Sequence, residues 1–310
     1  MQNQLPSIHI NELHTAIIKV CHELELPLHY NNKGPKIFTN YQRIALIILF
    51  LRSKKNLRDF IKELPELRWV QWLNLREIPG KSTLNDWMNF FNLSFIRDIH
   101  KKIIKKLNPK IAAIDGTGID SWQRSRHYEK RINDSNMPFA KLDILIDIDT
   151  HAILDFILKI KPRHDVIGAK SIFQRLKYSS LLILGDKGYD SEELHQLVIK
   201  NNCQFYAPVR DFHVNKPKGK NRKRCLTRHP EYSRRNSVES VFHAIKSKWN
   251  SLKSRKDYMK KREMGWKVII YNLDRLNNKI TKLIKLLINC LFRTRPYFPK
   301  IKIFFPSDFR

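Results

Sequence analysis

The order of short apolar runs and helix-like segments in the second half of this chain most constrains its fold. Three consecutive runs, at residues 110–114, 141–150 and 152–160, have the length and apolar content of strands. The pattern then alternates between helix and strand, with helices expected at 165–178, 191–201 and 236–252 and strands at 181–184 and 203–208. Consecutive strands can form a meander, whereas alternating strands and helices form crossover units. The chain therefore predicts a mixed α/β sheet with flanking helices.

That order of elements is the order of the RNase H-like fold, which we expect over residues 110–275. Residues 1–109 carry few strand-like runs and predict a separate helical domain. Residues 276–310 are basic and amphipathic and are expected to form a C-terminal tail.

The predicted helical domain contains recognisable helix boundaries. Residues 41–52 form an apolar run typical of a buried helix, and Asn56 is a favourable start for a helix that Pro65 should end. A Pro79-Gly80 turn precedes a helix that we expect Ser82 to cap. This succession suggests a helix-turn-helix that binds DNA, although plain structural packing would produce the same pattern.

The charge of the chain indicates a polyanionic partner. Lys and Arg number 59 against 29 Asp and Glu, for a net charge of +30. Nucleic acid is the partner that best fits so large an excess, ahead of a membrane surface or an acidic protein. The longest apolar run, residues 44–51, is far too short to cross a bilayer, and the N-terminus does not resemble a signal peptide. We therefore expect a protein of the cytoplasm, associated with the nucleoid.

Two aspartates follow predicted strands in glycine-rich contexts. Asp115 ends the first strand in AAIDGTGI, and Asp186 ends the fourth in LILGDKGYD. Residues at strand ends of an α/β sheet are exposed at its rim, where ligands commonly bind, and flanking glycines let a substrate approach closely. A lone strand-end Asp is more often a turn residue, but two at one edge are less easily explained that way.

A third acid, Glu239, lies on the last predicted helix. Lys246 shares its helical face seven residues later. Carboxylates that converge repel one another unless a cation lies between them, and Mg²⁺ prefers oxygen ligands. The three acids therefore predict a divalent metal site, with Mg²⁺ or Mn²⁺ and two ions as the expected occupants.

The region around Glu239 also resembles a known family. Tyr232, Arg235, Glu239 and Lys246 match the spacing Y-x2-R-x3-E-x6-K, found in one branch of the DDE transposases of bacterial and archaeal insertion sequences. The resemblance implies that Asp115, Asp186 and Glu239 are catalytic metal ligands. It further implies that Tyr232, Arg235 and Lys246 contact DNA phosphates or position the DNA end.

The same resemblance implies what the protein acts on. A transposase would cut double-stranded DNA at terminal inverted repeats and join the ends to target DNA, as a homodimer on that DNA and with no membrane partner. An RNase H-like nuclease without strand transfer, or a domesticated DNA-binding regulator, remains an alternative.

Residues 210–235 form the most basic stretch of the chain. Ten Lys and Arg stand against two acids there, for a net charge of +8. Within this stretch, we expect residues 216–224 to form a mobile loop that grips the DNA backbone. Its predicted DNA contacts are Lys216, Lys218, Lys220, Arg222, Lys223 and Arg224. Arg163-His164-Asp165 is a further candidate for site contacts, against the simpler alternative that Asp165 caps the next helix.

Overall fold

A five-stranded mixed sheet lies at the centre of the fold. The computed structural model describes residues 10–29, 36–120, 139–161, 163–210, 217–249 and 251–293. The strand order is β3-β2-β1-β4-β5. The three long strands pair antiparallel, β4 pairs with β1 in parallel, and β5 pairs with β4 in parallel. The strands are β1 Ile111–Asp120, β2 Phe139–Asp147, β3 Ile153–Lys159, β4 Leu182–Leu184 and β5 Gln204–Tyr206. The predicted mixed α/β sheet is confirmed.

The first strand is longer than its apolar run predicts. β1 continues for five residues past Asp115, because β2 pairs with it from Ala112 to Asp120. Asp115 therefore lies inside a strand, and the prediction that it ends one is wrong.

The first part of the chain is helical, as predicted. Its helices are α1 Ile10–Glu23, α2 Asn40–Ser53, α3 Leu57–Glu63, α4 Trp69–Trp72, α5 Lys81–Phe90 and α6 Leu93–Ile104. The buried helix expected at 41–52 is α2, and Asn56 caps α3 by accepting a 2.9 Å hydrogen bond from the N–H of Asp59. The expected cap of α5 is wrong: the N-cap is Gly80, and Ser82 lies within the first turn.

Five helices follow in the second part of the chain. They are α7 Asp165–Phe173, α8 Glu192–Ile199, α9 Lys220–Arg224, α10 Ser237–Lys248 and α11 Asp257–Arg293, counted over the described residues. α7 ends five residues before position 178, where the sequence places its end. α11 runs across position 275, the expected boundary between the sheet domain and the tail. No helix of the described residues is long and apolar enough to span a membrane.

The two faces of the sheet pack against different helices. Ala113 joins a large core with Val241 of α10 and Trp266 of α11, which also includes α2, α5 and α6. Ile114 points the other way, into a smaller core with Ile172 of α7 and further residues of α8. Alternate residues of β1 thus face different helices, as a pleated strand requires.

Candidate active site

Asp115 and Asp186 lie side by side at one edge of the sheet. The parallel pairing of β1 with β4 ends at Ala113 and Leu184. Each aspartate lies two residues beyond that last pair, so the register brings the two together. Burial raises the pKa of Asp115, and the negative charge of Asp186 raises it further, while the N–H of Gly116 and the guanidinium of Arg235 oppose the rise.

A tight turn holds Asp186. Its side chain accepts a 2.7 Å hydrogen bond from the N–H of Gly188, at the start of a 3₁₀ turn over Lys187–Tyr189. A Cβ added at Gly188 would lie 2.8 Å from Asp186 Oδ1 and 2.5 Å from Asp165 Oδ2. A side chain at this position would therefore displace one or both carboxylates.

Arg235 stands between Asp115 and Glu239. Its Nη1 donates a 2.9 Å hydrogen bond to Asp115 Oδ2, and its Nη2 lies 3.9 Å from Glu239 Oε1. The Arg235 side chain is 15% exposed, whereas that of Glu239 is 68% exposed. The structure therefore connects Glu239 to Asp115 through a guanidinium.

The donor chemistry at this edge fits a divalent cation. Asp115 and Asp186 offer carboxylate oxygens, which suit Mg²⁺ and Mn²⁺. Asp115 already forms an ion pair with the Arg235 guanidinium. Among the described residues, however, no three His, Cys, Asp or Glu side chains are arranged to hold one ion. The chemistry of the two aspartates therefore suits a divalent cation, whereas the Arg235 guanidinium lies between Asp115 and Glu239.

The other signature residues differ in exposure. Tyr232 is half-buried and packs edge-on against Tyr206, with ring centroids 5.3 Å apart. Lys246 is exposed on the same face of α10 as Glu239, about 10 Å further along the helix axis. The exposed Lys246 side chain can therefore reach a phosphate outside the protein. The Tyr232 ring is partly covered by its contact with Tyr206.

The basic stretch is more ordered than predicted. Residues 220–224 form the short helix α9, so the prediction of a loop is wrong for this part. Arg222 donates two hydrogen bonds, of 2.7 and 2.6 Å, to the buried carboxylate of Asp190. Arg222 is therefore occupied internally, and Lys216 lies outside the described residues. The four remaining basic residues are exposed: Lys218, Lys220, Lys223 and Arg224.

Three charged residues near the site escaped the sequence analysis. Asp143 of β2 is fully buried, and its carboxylate lies 3.7 Å from Lys141 Nζ and 3.4 Å from Lys159 Nζ. Burial raises the pKa of Asp143, and the two ammonium groups oppose the rise. The available signal was an acid inside an apolar strand, in KLDILIDID.

Lys141 also pairs with Asp165, the first residue of α7. His164 is the N-cap of that helix, so Asp165 is not the cap that the simpler alternative assumed. The predicted candidate Arg163-His164-Asp165 thus reaches the site edge through Asp165, which also adjoins Gly188.

Comparison with known proteins supplies a family. A family model described as "Transposase DDE domain" matches residues 106–273. No curated protein matches the chain. The cryo-EM structure of a piggyBac transposase synaptic complex with hairpin DNA is similar, with 12% identity and a TM-score of 0.46 over 88% of this chain and 74% of that chain. The crystal structure of a pre-cleavage Mos1 transpososome shows 10% identity and a TM-score of 0.27, over 89% of this chain and 98% of that one.

Proposed function

Since this chain belongs to the transposase DDE domain family, we propose that it cleaves DNA at the ends of a mobile element and joins those ends to target DNA. The observation that carries the proposal is the placement of Asp115 and Asp186 at one sheet edge, two residues beyond the last parallel pair. The strand order, a three-stranded meander continued by two parallel strands, supports assigning the sheet to the RNase H-like fold.

We propose Asp115, Asp186 and Glu239 as the ligands of Mg²⁺ or Mn²⁺, with two ions as the expected number. When bound, such ions would activate the attacking oxygen and stabilise the leaving one. The chain itself must bring the scissile phosphate to this edge. Arg235 is suited to that task, because its planar guanidinium can exchange the Asp115 carboxylate for a phosphate.

Lys246 would contact the same DNA strand from the face of α10 that also bears Glu239. Tyr232 would contact the DNA through the part of its ring that is not covered by Tyr206. The exposed residues of the basic stretch, Lys218, Lys220, Lys223 and Arg224, would grip the backbone without regard to sequence.

The helical first part of the chain has a proposed role in DNA-end recognition. We propose that the helical residues 1–109 bind the terminal inverted repeats, with α5 as the candidate recognition helix. A homodimer on paired DNA ends would follow from the need to join both ends of an element. The expected tail, residues 276–310, lies partly outside the described residues and has no proposed role.

A cleavage and joining assay tests the proposal. The full chain is incubated with Mg²⁺, a labelled duplex taken from inverted repeats that flank the gene, and a supercoiled target. Wild type should nick the duplex at the element boundary and join the freed 3′ end to the target. Asp115→Asn and Asp186→Asn should abolish both steps, yet bind the duplex as tightly as wild type, because neither removes a phosphate contact.

Asp257→Asn is the matched control, since it makes the same change at an exposed acid of α11 whose ion-pair partner is Lys260, three residues along the same helix. Its cleavage rate should equal that of wild type. Cleavage without joining would instead identify a nuclease. Tight binding without cleavage would identify a regulator. Cleavage by Asp115→Asn at the wild-type rate would refute the assignment of this site.

A further inference from the structure

An ion pair on the α7 side of the sheet connects the two segments that carry Asp115 and Asp186. Its members are Lys141 of β2 and Asp165 of α7. Lys141 is 14% exposed and Asp165 is 32% exposed, so the pair is largely shielded by protein. Neither residue belongs to the signature that assigns the proposed metal ligands.

Lys141 contacts the backbone that presents Asp115. A Cβ added at Gly116 would lie 2.7 Å from Lys141 Cε and would also collide with Asp143. The N–H of Gly116 in turn donates a 2.7 Å hydrogen bond to Asp115 Oδ1. A shift of the Lys141 side chain would therefore let the backbone at Gly116 move, and with it the hydrogen bond that orients Asp115.

Asp165 contacts the turn that presents Asp186. Its Oδ2 lies close enough to Gly188 that a Cβ there would be 2.5 Å away. Gly188 also donates the hydrogen bond that holds Asp186 Oδ1. Lys141 and Asp165 thus form a bridge from Gly116 on β1 to Gly188 in the turn after β4.

The charges around this bridge keep it in one place. Asp143 lies 3.7 Å from Lys141 and 3.4 Å from Lys159, and it is completely buried. Lys141 is therefore held between the carboxylates of Asp143 and Asp165. Lys159 supplies a second positive charge, so that two ammonium groups balance two carboxylates. Because the Asp165 carboxylate is paired with the Lys141 ammonium group, we expect it to affect the site through the position of the first turn of α7.

We propose that the Lys141–Asp165 ion pair is a positioning device that sets the spacing of Asp115 and Asp186 for the proposed cleavage reaction. The inference rests on the proposed function. Residues that orient metal-binding side chains typically change metal affinity or activity by about 10- to 100-fold when they are removed. An ion pair that served stability alone would leave both quantities unchanged in a variant that stays folded.

The test compares Asp165→Asn and Lys141→Met with the charge-preserving Lys141→Arg in the full chain. The readouts are single-turnover cleavage, the Kd for the end duplex, the Tm, and Mn²⁺ affinity measured without DNA by electron paramagnetic resonance. We expect both neutral variants to lose about tenfold or more in cleavage rate and in Mn²⁺ affinity, with an unchanged duplex Kd. Lys141→Arg should keep a cleavage rate and Mn²⁺ affinity near those of wild type. The double variant, with both Asp165→Asn and Lys141→Met, should lose no more of either quantity than each single variant does.

Glu193→Gln is the matched control, because Lys170 and Glu193 form an exposed ion pair that also involves α7. It should leave cleavage and Mn²⁺ affinity at wild-type values. If Asp165→Asn fails to fold, Lys141→Met decides the question. Wild-type Mn²⁺ affinity in a folded neutral variant would overturn the proposal.

The proposed function and the ion-pair role fail in different ways. Inactive wild-type protein would contradict the proposed function, while Mn²⁺ affinity would still decide the role of the ion pair. If Asp115→Asn is inactive and folded Asp165→Asn cleaves like wild type, the ion-pair role alone is refuted.

Discussion

Acidification should destabilise this protein through His100, which lies where α6 meets the edge strand β3. The ring Nε2 lies 2.9 Å from the carbonyl oxygen of Ile153 and 3.1 Å from Asn272 Nδ2 of α11. The residue is only 3% exposed. Burial lowers the pKa of His100 from 6.5 to about 4, and the charge of Asp155 only partly opposes this. His100 therefore remains neutral in the folded protein at a pH where the unfolded chain is protonated.

The sign and size of the effect follow from that difference. The unfolded state binds a proton near pH 6.5, and the folded state binds it only near pH 4. The stability due to neutral His100 is complete above pH 6.5 and is lost as the pH falls from there to about 4. At about 1.4 kcal/mol per pH unit, the loss amounts to about 3 kcal/mol. That is a large part of the stability of an ordinary domain.

Urea unfolding at about pH 7 and about pH 4.5 measures this loss. His100→Gln is the comparison, because glutamine does not titrate and can still donate to the Ile153 carbonyl. Between the two conditions, wild type should lose about 2 to 3 kcal/mol more than His100→Gln. A difference below about 0.5 kcal/mol would show that His100 titrates normally when folded, and the argument from burial would be wrong.

Three further predictions concern basic residues. Arg235→Ala and Lys246→Ala should slow single-turnover cleavage by on the order of a hundredfold, because both charges would act on the reacting phosphate. The duplex Kd should change little. Cleavage at the wild-type rate would contradict the roles proposed for these two residues. Lys223→Gln and Arg224→Gln should each lower the slope of log K against log salt by about one for any DNA sequence, in salt-titrated binding. Arg222→Gln should instead reduce the free energy of unfolding by about 2 kcal/mol or more, because it leaves a buried carboxylate without its cation. A change confined to DNA binding in Arg222→Gln would refute that distinction.

The sequence by itself determined the features that depend on neighbouring residues. The apolar run of α2, the Asn56 cap of α3 and the order of strands and helices are local signals, because each depends on side chains within a few positions. The placement of Asp115 and Asp186 near one edge was predicted from the same order, although only β4 ends before its aspartate and β1 continues past Asp115. The errors occurred where a distant partner overrides the local pattern. β1 extends past Asp115 because β2 pairs with it, and α9 is anchored because Arg222 meets Asp190, 32 residues away.

Only the tertiary structure decided how charges are matched within the site. Arg235 bonds to Asp115 across 120 positions of the chain, and Lys141 meets Asp165 across 24. Residue spacing carries no information about such pairs, because each depends on how a strand and a helix pack after the sheet has formed. The sequence therefore indicated which acids could hold a metal. The packing determined that a guanidinium stands between Asp115 and Glu239 and that an ion pair connects the segments that carry Asp115 and Asp186.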